Sequence, residues 1–333
     1  MRLGKALFVY FLIFICLFLA GVYVFGRNYL KRLERKSAQV ILPFPAATPT
    51  TRPPPTEISL VVTGDVMLAR SVTTKMRALD NFAYPFTETA AVLKEADLTL
   101  INLESPFGSN CSSTDTGMVF CADQQAIEGL IKAGVDLVSL ANNHVLDQGE
   151  AGLSETIQLI KQNFMTPVGL RDPAFLEVNG VKLVFLAYNA VNPQSTLVSW
   201  ADPAVIESEI KRFSREADVL VVYFHWGQEY AETPRSGSGS PFDPKKLAHQ
   251  AIDAGADLVL GSHPHVVWDN EWYNGKLIVY SLGNFVFDQS WSQETQKGTL
   301  GKFILDQEGL VSADFLPVEI INYQPVFTDN SSS

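Results

Sequence analysis

The alternation of apolar and polar positions divides the chain into three regimes. Residues 6 to 26 (ALFVYFLIFICLFLAGVYVFG) form an apolar run of 21 residues without a charge. At a rise of about 1.5 Å per residue, a helix of that length covers a hydrocarbon core of about 30 Å. The run predicts a transmembrane helix retained as an anchor. The alternative is a cleaved leader, whose apolar region usually spans about 7–15 residues and ends at a small-residue cleavage site. Residues 27 to 56 are first basic and then rich in Pro and Thr (PFPAATPTTRPPPT at 43–56), the composition of a stiff, extended stalk.

From residue 57 onward, short apolar runs alternate with amphipathic ones. Strands are predicted at 58–64, 97–102, 136–142, 182–188, 218–225, 257–262 and 276–282. Helical spacing is met at 85–96, 124–134, 153–162 and 243–255. Three junctions share one form, in which a helix ends and an Asp opens an apolar strand: EAD at 95–97, AGVD at 133–136 and AGAD at 254–257. The pattern predicts a layered α/β domain over 57–325, with a short flank at 1–5 and a tail at 326–333.

Charge changes this picture in two ways. The whole chain carries −11, but residues 1–56 hold eight basic side chains and one acidic, leaving 17 basic against 35 acidic, or −18, for residues 57–333. Such an acidic domain argues against nucleic acid as a partner, because phosphate binding needs clustered Lys and Arg. An anionic polymer is likewise repelled unless a bound cation or a local basic groove intervenes. Five basic residues follow the apolar run (Arg27, Lys31, Arg32, Arg35, Lys36) and two precede it, which by itself favours a cytoplasmic carboxyl side. The stalk points the other way, and the expected location is the cell membrane with the domain extracytoplasmic. Cys111 and Cys121 are the only cysteine pair outside the apolar run. They could close a disulfide in an oxidising compartment or stay as two thiols.

Candidate chemistry gathers at the predicted strand ends. Asp65 follows 58–64, Glu104 follows 97–102, Asn142, Asn143 and His144 follow the third strand, His225 ends 218–225, and His263 and His265 follow 257–262. Ligands of open parallel sheets bind beyond the carboxyl ends of the strands, so five strand ends bring these side chains to one edge. Mixed oxygen and nitrogen donors of this kind suit Mn, Fe or Zn, and a carboxylate such as Glu104 can bridge two ions about 3.5–4 Å apart. Each residue also has a plainer use. Asp65 could cap a helix, one of Asn142 and Asn143 could shape a turn, and His144 with Asp147 could form a structural pair. His249, within a helical pattern, reads as structural or surface.

The blocks GDVMLAR (64–70), INLESP (101–106), ANNHVLDQGEAGL (141–153), HWGQEY (225–230), GSHPHV (261–266) and YSLGNFVFD (280–288) resemble, in order, those of the CapA family of capsule and poly-γ-glutamate synthesis proteins. That family is similar to the calcineurin-like metallophosphatases, and the resemblance implies a four-layer α/β/β/α sandwich with a metal centre. It implies Asp65, Glu104, Asn143, His225, His263 and His265 as metal ligands, with one or two divalent ions. His144 is then the candidate general acid, supported by Asp147. One departure stands out: the phosphatase pattern has Asp-x-His on the first strand, whereas this chain has Met67 two residues after Asp65. Trp226, Glu229, Tyr230 and Asn284 are expected near the substrate, together with Ser281 and Gly283, and segment 290–298 is expected as a loop over the mouth. Two functions stay open, while a third, a plain phosphoesterase, is disfavoured by Met67 and the strongly acidic domain. One is a metal-dependent hydrolase or transferase acting on an amide or ester bond of an anionic polymer. The other is a non-catalytic component of a polymer synthesis or export complex, docked to membrane partners.

Overall fold

The computed structural model describes residues 56–328 apart from 110, 112–115, 193–194 and 238. The expected transmembrane run 6–26 and its stalk up to residue 55 lie outside the described residues. No helix among the described residues is long and apolar enough to cross a membrane. The described residues belong to one compact unit.

Two sheets form its centre. The first contains β1 (Ile58–Val66), β2 (Leu98–Leu103), β5 (Leu137–Ser139), β6 (Thr166–Val168), β13 (Asn284–Val286), β14 (Lys297–Asp306), β15 (Gly309–Ile321) and β16 (Gln324–Phe327). Its order is β16-β15-β14-β1-β2-β5-β6, with β13 also paired to β1. The second contains β7 (Ala174–Val178), β8 (Val181–Asn189), β9 (Val219–His225), β10 (Leu258–Ser262), β11 (Asn270–Tyr273) and β12 (Lys276–Val279), in the order β11-β12-β10-β9-β8-β7. A two-stranded pair, β3 (Phe107–Gly108) and β4 (Ala122–Asp123), lies beside them.

Side-chain alternation shows how the layers stack. Along β8 and β9, Leu183, Phe185, Ala187, Val219, Val221 and Tyr223 join the core shared with the first sheet. Their neighbours Val184, Leu186, Tyr188, Leu220, Val222 and Phe224 pack on the other face, against helices α5 (Pro203–Phe213) and α6 (Pro244–Ala254). Helices α1 (Arg70–Ala78), α2 (Ala90–Glu95), α3 (Ile127–Ala133) and α4 (Gly149–Gln162) bury Met76, Leu93, Leu130 and Leu153 in the first core. The layered α/β/β order is thus built by strands whose two faces are both apolar, as buried parallel strands require.

The repeated helix-to-strand junctions have a physical cause. Gly134 and Gly255 end α3 and α6 in the left-handed region, at φ 74° and 118°. The Asp that follows accepts a hydrogen bond from the start of the neighbouring strand. Asp136 Oδ2 takes the Thr99 N–H at 3.1 Å, and Asp257 Oδ2 takes that of Leu220 at 2.8 Å. Asp97 does the same for Ser59 at 2.8 Å. These contacts tie the starts of β1, β2 and β9 to the junctions that open their neighbours β2, β5 and β10.

Several elements depart from the sequence expectation. Helix α5 lies outside the predicted helices, although its Asp202-Pro203 start is a strong signal: the Asp202 carboxylate accepts from the Ala204 and Val205 amides at 2.8 and 3.3 Å. The long antiparallel β14–β15 ribbon is likewise additional to the predicted strands, and β16 carries the domain to Phe327, past the expected boundary at 325.

Candidate metal centre

Strand ends deliver the donors. Asp65 is the penultimate residue of β1, and its backbone N–H donates to Gly283 O at 3.0 Å. That approach requires Gly64, where an added Cβ would stand 1.9 Å from Gly283 O. Glu104 follows β2, with its N–H on Val66 O at 2.8 Å. His225 ends β9. His263 and His265 flank Pro264 after β10, both in the left-handed region at φ 99° and 59°. Conformations of this kind cost about 1–2 kcal/mol per residue and persist where surrounding structure imposes them.

These side chains form a buried cluster. Asp65, Glu104 and His225 have no exposed surface, and His263 and His265 almost none. Donor atoms of Asp65, Glu104 and His265 lie within 4.8 Å of one another, as do those of Glu104, His225 and His263, and those of Glu229, His263 and His265. Glu104 belongs to the first two groups and is the residue they share. Asn143 Oδ1 approaches His225 Nε2 to 2.7 Å, and His263 Nδ1 lies 3.0 Å from the same nitrogen. Three potential ligand atoms therefore converge on one point of the cluster.

Electrostatics sharpen the point. Burial, reinforced by Asp65, Glu229 and Asp147, pushes the Glu104 carboxyl well above its ordinary pKa, against the pull of Arg70. Both Glu104 oxygens are buried without a hydrogen-bond partner. Burial also works to raise Asp65, but hydrogen bonds from His265 and Asn102 and the charges of His225 and His265 hold it below the usual range. Burial pushes His225 down to about 3 and His263 well below the usual imidazole value, keeping both rings neutral with lone pairs available. Buried polar atoms are normally paired, and an orphaned carboxylate facing neutral imidazoles is the chemistry a divalent cation satisfies. The donor set therefore fits a metal.

Other residues orient the cluster. Asn102, on the inner face of β2, donates to Asp65 Oδ1 at 2.8 Å and accepts from Asn142 Nδ2 at 3.1 Å. Asn142 also accepts the His144 N–H at 3.1 Å, so it is the turn-shaping member of the Asn pair. Ser262 Oγ lies 3.0 Å from His225 Nδ1. His144 Nδ1 lies 2.8 Å from Asp147 Oδ2, while its Nε2 lies 4.0 Å from Glu104. Phe120 stacks on the His144 ring at 4.0 Å and gives its backbone N–H to Asp147 Oδ2 at 2.6 Å. Its neighbour Cys121 is disulfide-bonded to Cys111, which realises the bonded alternative. Arg70 pairs with Asp288 and lies 4.8 Å above the Phe120 ring.

The expected substrate residues separate into two kinds. Glu229 and Tyr230 sit beside the cluster, Tyr230 with its ring 5.8 Å from His265 and 5.9 Å from exposed Trp291 of segment 290–298. Trp226 does not share that position. It is fully buried among the helix-side residues, stacked on Phe224 at 4.5 Å, with its indole N–H on Tyr280 O. Asn284 is also fully buried and holds His265 Nδ1 at 2.9 Å, and Ser281 Oγ donates to Val266 O. These are supporting residues behind the cluster. Met67 is buried, and its sulfur accepts the Ala69 N–H at 3.1 Å, so the first strand offers Asp65 alone. His249 lies apart, stacked on Tyr273 and 3.0 Å from Glu271. Asn102, Ser262, Phe120 and Arg70 are additions that only the structure supplies. Asn102 carries a readable signal, as an amide near the carboxyl end of a mostly apolar strand, while Phe120 carries none.

Fold and site together define a two-sheet α/β domain with a buried nitrogen and oxygen cluster at the strand ends. The same fold occurs in solved structures: a phosphatase from Mycoplasma pneumoniae (TM-score 0.53, 15% identity, 80% of this chain and 94% of that one) and a hypothetical protein from Thermus thermophilus (TM-score 0.51, 20% identity, 79% and 99%). At these identities the likeness concerns the fold. Residues 59–289 match the family model of the bacterial capsule synthesis protein PGA_cap, and the chain belongs to that family. It is 29% identical over 291 residues to the capsule biosynthesis protein CapA of Bacillus anthracis, covering 81% of this chain and 69% of that protein. To the PGA biosynthesis protein CapA of Bacillus subtilis (strain 168) it is 29% identical over 287 residues, covering 80% and 73%.

Proposed function

We propose that the chain is a membrane-anchored, extracytoplasmic protein of anionic-polymer synthesis, of the capsule or poly-γ-glutamate kind, that acts as a metal-dependent hydrolase or transferase on an amide or ester bond. The observation that carries the reading is the buried Glu104 carboxylate, shared by two donor groups and without a hydrogen-bond partner. Asp65, Glu104, Asn143, His225, His263 and His265 would hold one or two ions of Mn, Fe or Zn, which supply Lewis acidity and an activated water when bound. His144, its Nδ1–H donating to Asp147, keeps Nε2 turned toward the cluster, placed to hand a proton to a leaving group. A bound cation would also relieve the repulsion between an anionic polymer and a domain of −18. The uncharged run at 6–26 and the Pro/Thr stalk after it support the anchor and the extracytoplasmic placement. Polymer synthase or export proteins of the membrane are the partners this placement implies.

The test is bound metal per chain by elemental analysis of the full chain in detergent, beside a His263→Ala, His265→Ala variant. About one or two equivalents, lost in the variant, are expected from the shared-carboxylate arrangement. A folded, metal-free protein removes the reading. Met67 favours one alternative, a binding or assembly component without turnover, because its thioether leaves the first strand a ligand short. His144→Ala separates the two: turnover vanishes with metal retained if the protein is an enzyme, whereas polymer assembly is unchanged if it only binds.

A further inference from the structure

A hydrogen-bond relay beside the cluster has a direction that the backbone fixes. It starts at the main-chain carbonyl of Thr295, which accepts from Asn284 Nδ2 at 2.9 Å. A carbonyl can only accept, so turning the Asn284 amide over would set two acceptors face to face. The same nitrogen donates to Gln289 Oε1 at 3.0 Å. That fixes Gln289 in turn, whose own nitrogen donates to the Tyr230 hydroxyl at 3.1 Å. At the other end Asn284 Oδ1 lies 2.9 Å from His265 Nδ1, so this nitrogen carries the proton and Nε2, 3.8 Å from Glu104, presents a lone pair. Asn284, Gln289 and Thr295 are all buried, and Thr295 Oγ1 ties Gln289 in place through its carbonyl at 2.7 Å.

The consequence falls on Tyr230. A phenol proton prefers the plane of the ring, where it has two positions, and the Gln289 amide occupies one of them. The hydroxyl is left to donate on its other side. Tyr230 is 43% exposed, its ring stands beside His265, and its backbone is held at φ 59° with its N–H on Pro264 O at 2.9 Å.

We propose that Tyr230 is an obligate hydrogen-bond donor to the substrate, selecting an acceptor oxygen beside His265, and that Gln289 is a positioning residue that sets this polarity. The substrate's place, though not the relay itself, rests on the metal reading above. Carbonyl, carboxylate and phosphoryl groups share the required oxygen. A group that presents only N–H at this point meets a second donor and is rejected, which is how a fixed hydroxyl discriminates.

The experiment uses the zinc-loaded full chain in detergent and two probes, inorganic phosphate and glutarate, titrated calorimetrically into the wild type, Tyr230→Phe, Gln289→Met and the double variant. Tyr230→Phe is expected to weaken at least one probe about fivefold to tenfold, the worth of one net hydrogen bond. Gln289→Met is expected to weaken the same probe by less, and the double variant to match Tyr230→Phe alone, since the amide acts through the hydroxyl. The probe affected identifies the acceptor as phosphoryl or carboxylate. Additive losses, unchanged binding of both probes in Tyr230→Phe, or no probe bound by the metal-loaded wild type would overturn the proposal. Equal metal content in every variant shows that the site is intact. A second measurement needs neither metal nor ligand: ring nitrogen shifts of His265 in chelated protein should show the Nδ1–H tautomer, and the Nε2–H tautomer overturns the relay. Loss of metal from the wild type would sink the metal reading while leaving that tautomer test standing.

Discussion

The orphaned Glu104 makes a definite demand on how the metal-free protein responds to pH. With metal chelated, the folded state keeps a proton on Glu104 because burial and neighbouring carboxylates raise its pKa well above 4.5, whereas the unfolded chain loses that proton near 4.5. Above that pH the native state therefore binds one proton more than the unfolded state, and stability falls by about 1.4 kcal/mol per pH unit until the raised pKa is reached. His225 and His263 act in the opposite sense. Both are neutral when folded, His225 because burial takes it to about 3, but they protonate when unfolded below 6.5. Between 4.5 and 6.5 the unfolded state thus gains two protons on imidazoles while the native state holds one on Glu104, and stability rises by about 1.4 kcal/mol per unit.

The two trends meet near pH 6.5, where stability of the chelated protein should peak. The assay is urea unfolding of a chain beginning at residue 55, run in chelator at half-unit steps from about pH 5 to about pH 8, the span that brackets both trends. Beyond the peak the wild type should lose stability until the raised Glu104 pKa is passed, while Glu104→Gln, which cannot ionise, should lack the descending limb. Adding Zn to the wild type should also remove that limb, since a cation bound to ionised Glu104 takes the proton's place, and should add about 2.7 kcal/mol at one hundred times its dissociation constant. If wild type and Glu104→Gln keep parallel profiles above the peak in chelator, Glu104 is not held protonated in the fold, and the argument from its unsatisfied carboxylate fails.

Other expectations follow from the same geometry. Asn102→Leu removes the tether shared by Asp65 and Asn142, and should weaken zinc affinity about 10–100-fold with the fold retained, read by competition with a chelating dye. Cys111→Ser with Cys121→Ser should lower unfolding free energy by about 2–4 kcal/mol. It should also speed hydrogen exchange at the Phe120 amide, which is held on Asp147. Trp226→Ala should cost about 3–5 kcal/mol in urea unfolding, since the indole is wholly buried, yet leave metal content unchanged.

The cluster is legible in the sequence because its members obey one rule, a polar side chain at or just past the carboxyl end of an apolar strand. Asp65, Glu104, His225, His263 and His265 all meet at the sheet edge where that rule sends them. The same rule does not extend to Trp226. His225 is the last residue of β9 and continues the face of Val219, Val221 and Tyr223, which looks toward the first sheet. Trp226 comes one residue later and falls on the face of Phe224 and the helices. A period of two is enough to predict that the ring turns away from the site.

The residues that escape a reading of the sequence are those whose role depends on contacts distant along the chain. Phe120 supports His144 and Asp147 from 24 and 27 positions away, and Gln289 reaches Tyr230 across 59. Nothing local marks either, since a Phe in a loop and a Gln after an apolar run suit many environments. A ligand must be a His, Asp, Glu or Asn at a strand end, so its type and place both narrow the choice. A supporting residue need only fill a volume or supply one N–H of fixed direction, which several side chains can do. For that reason the donors of the site are fixed by residue type and strand position, whereas its selectivity, in the orientation of His144 and the direction of the Tyr230 proton, emerges only from the assembled fold.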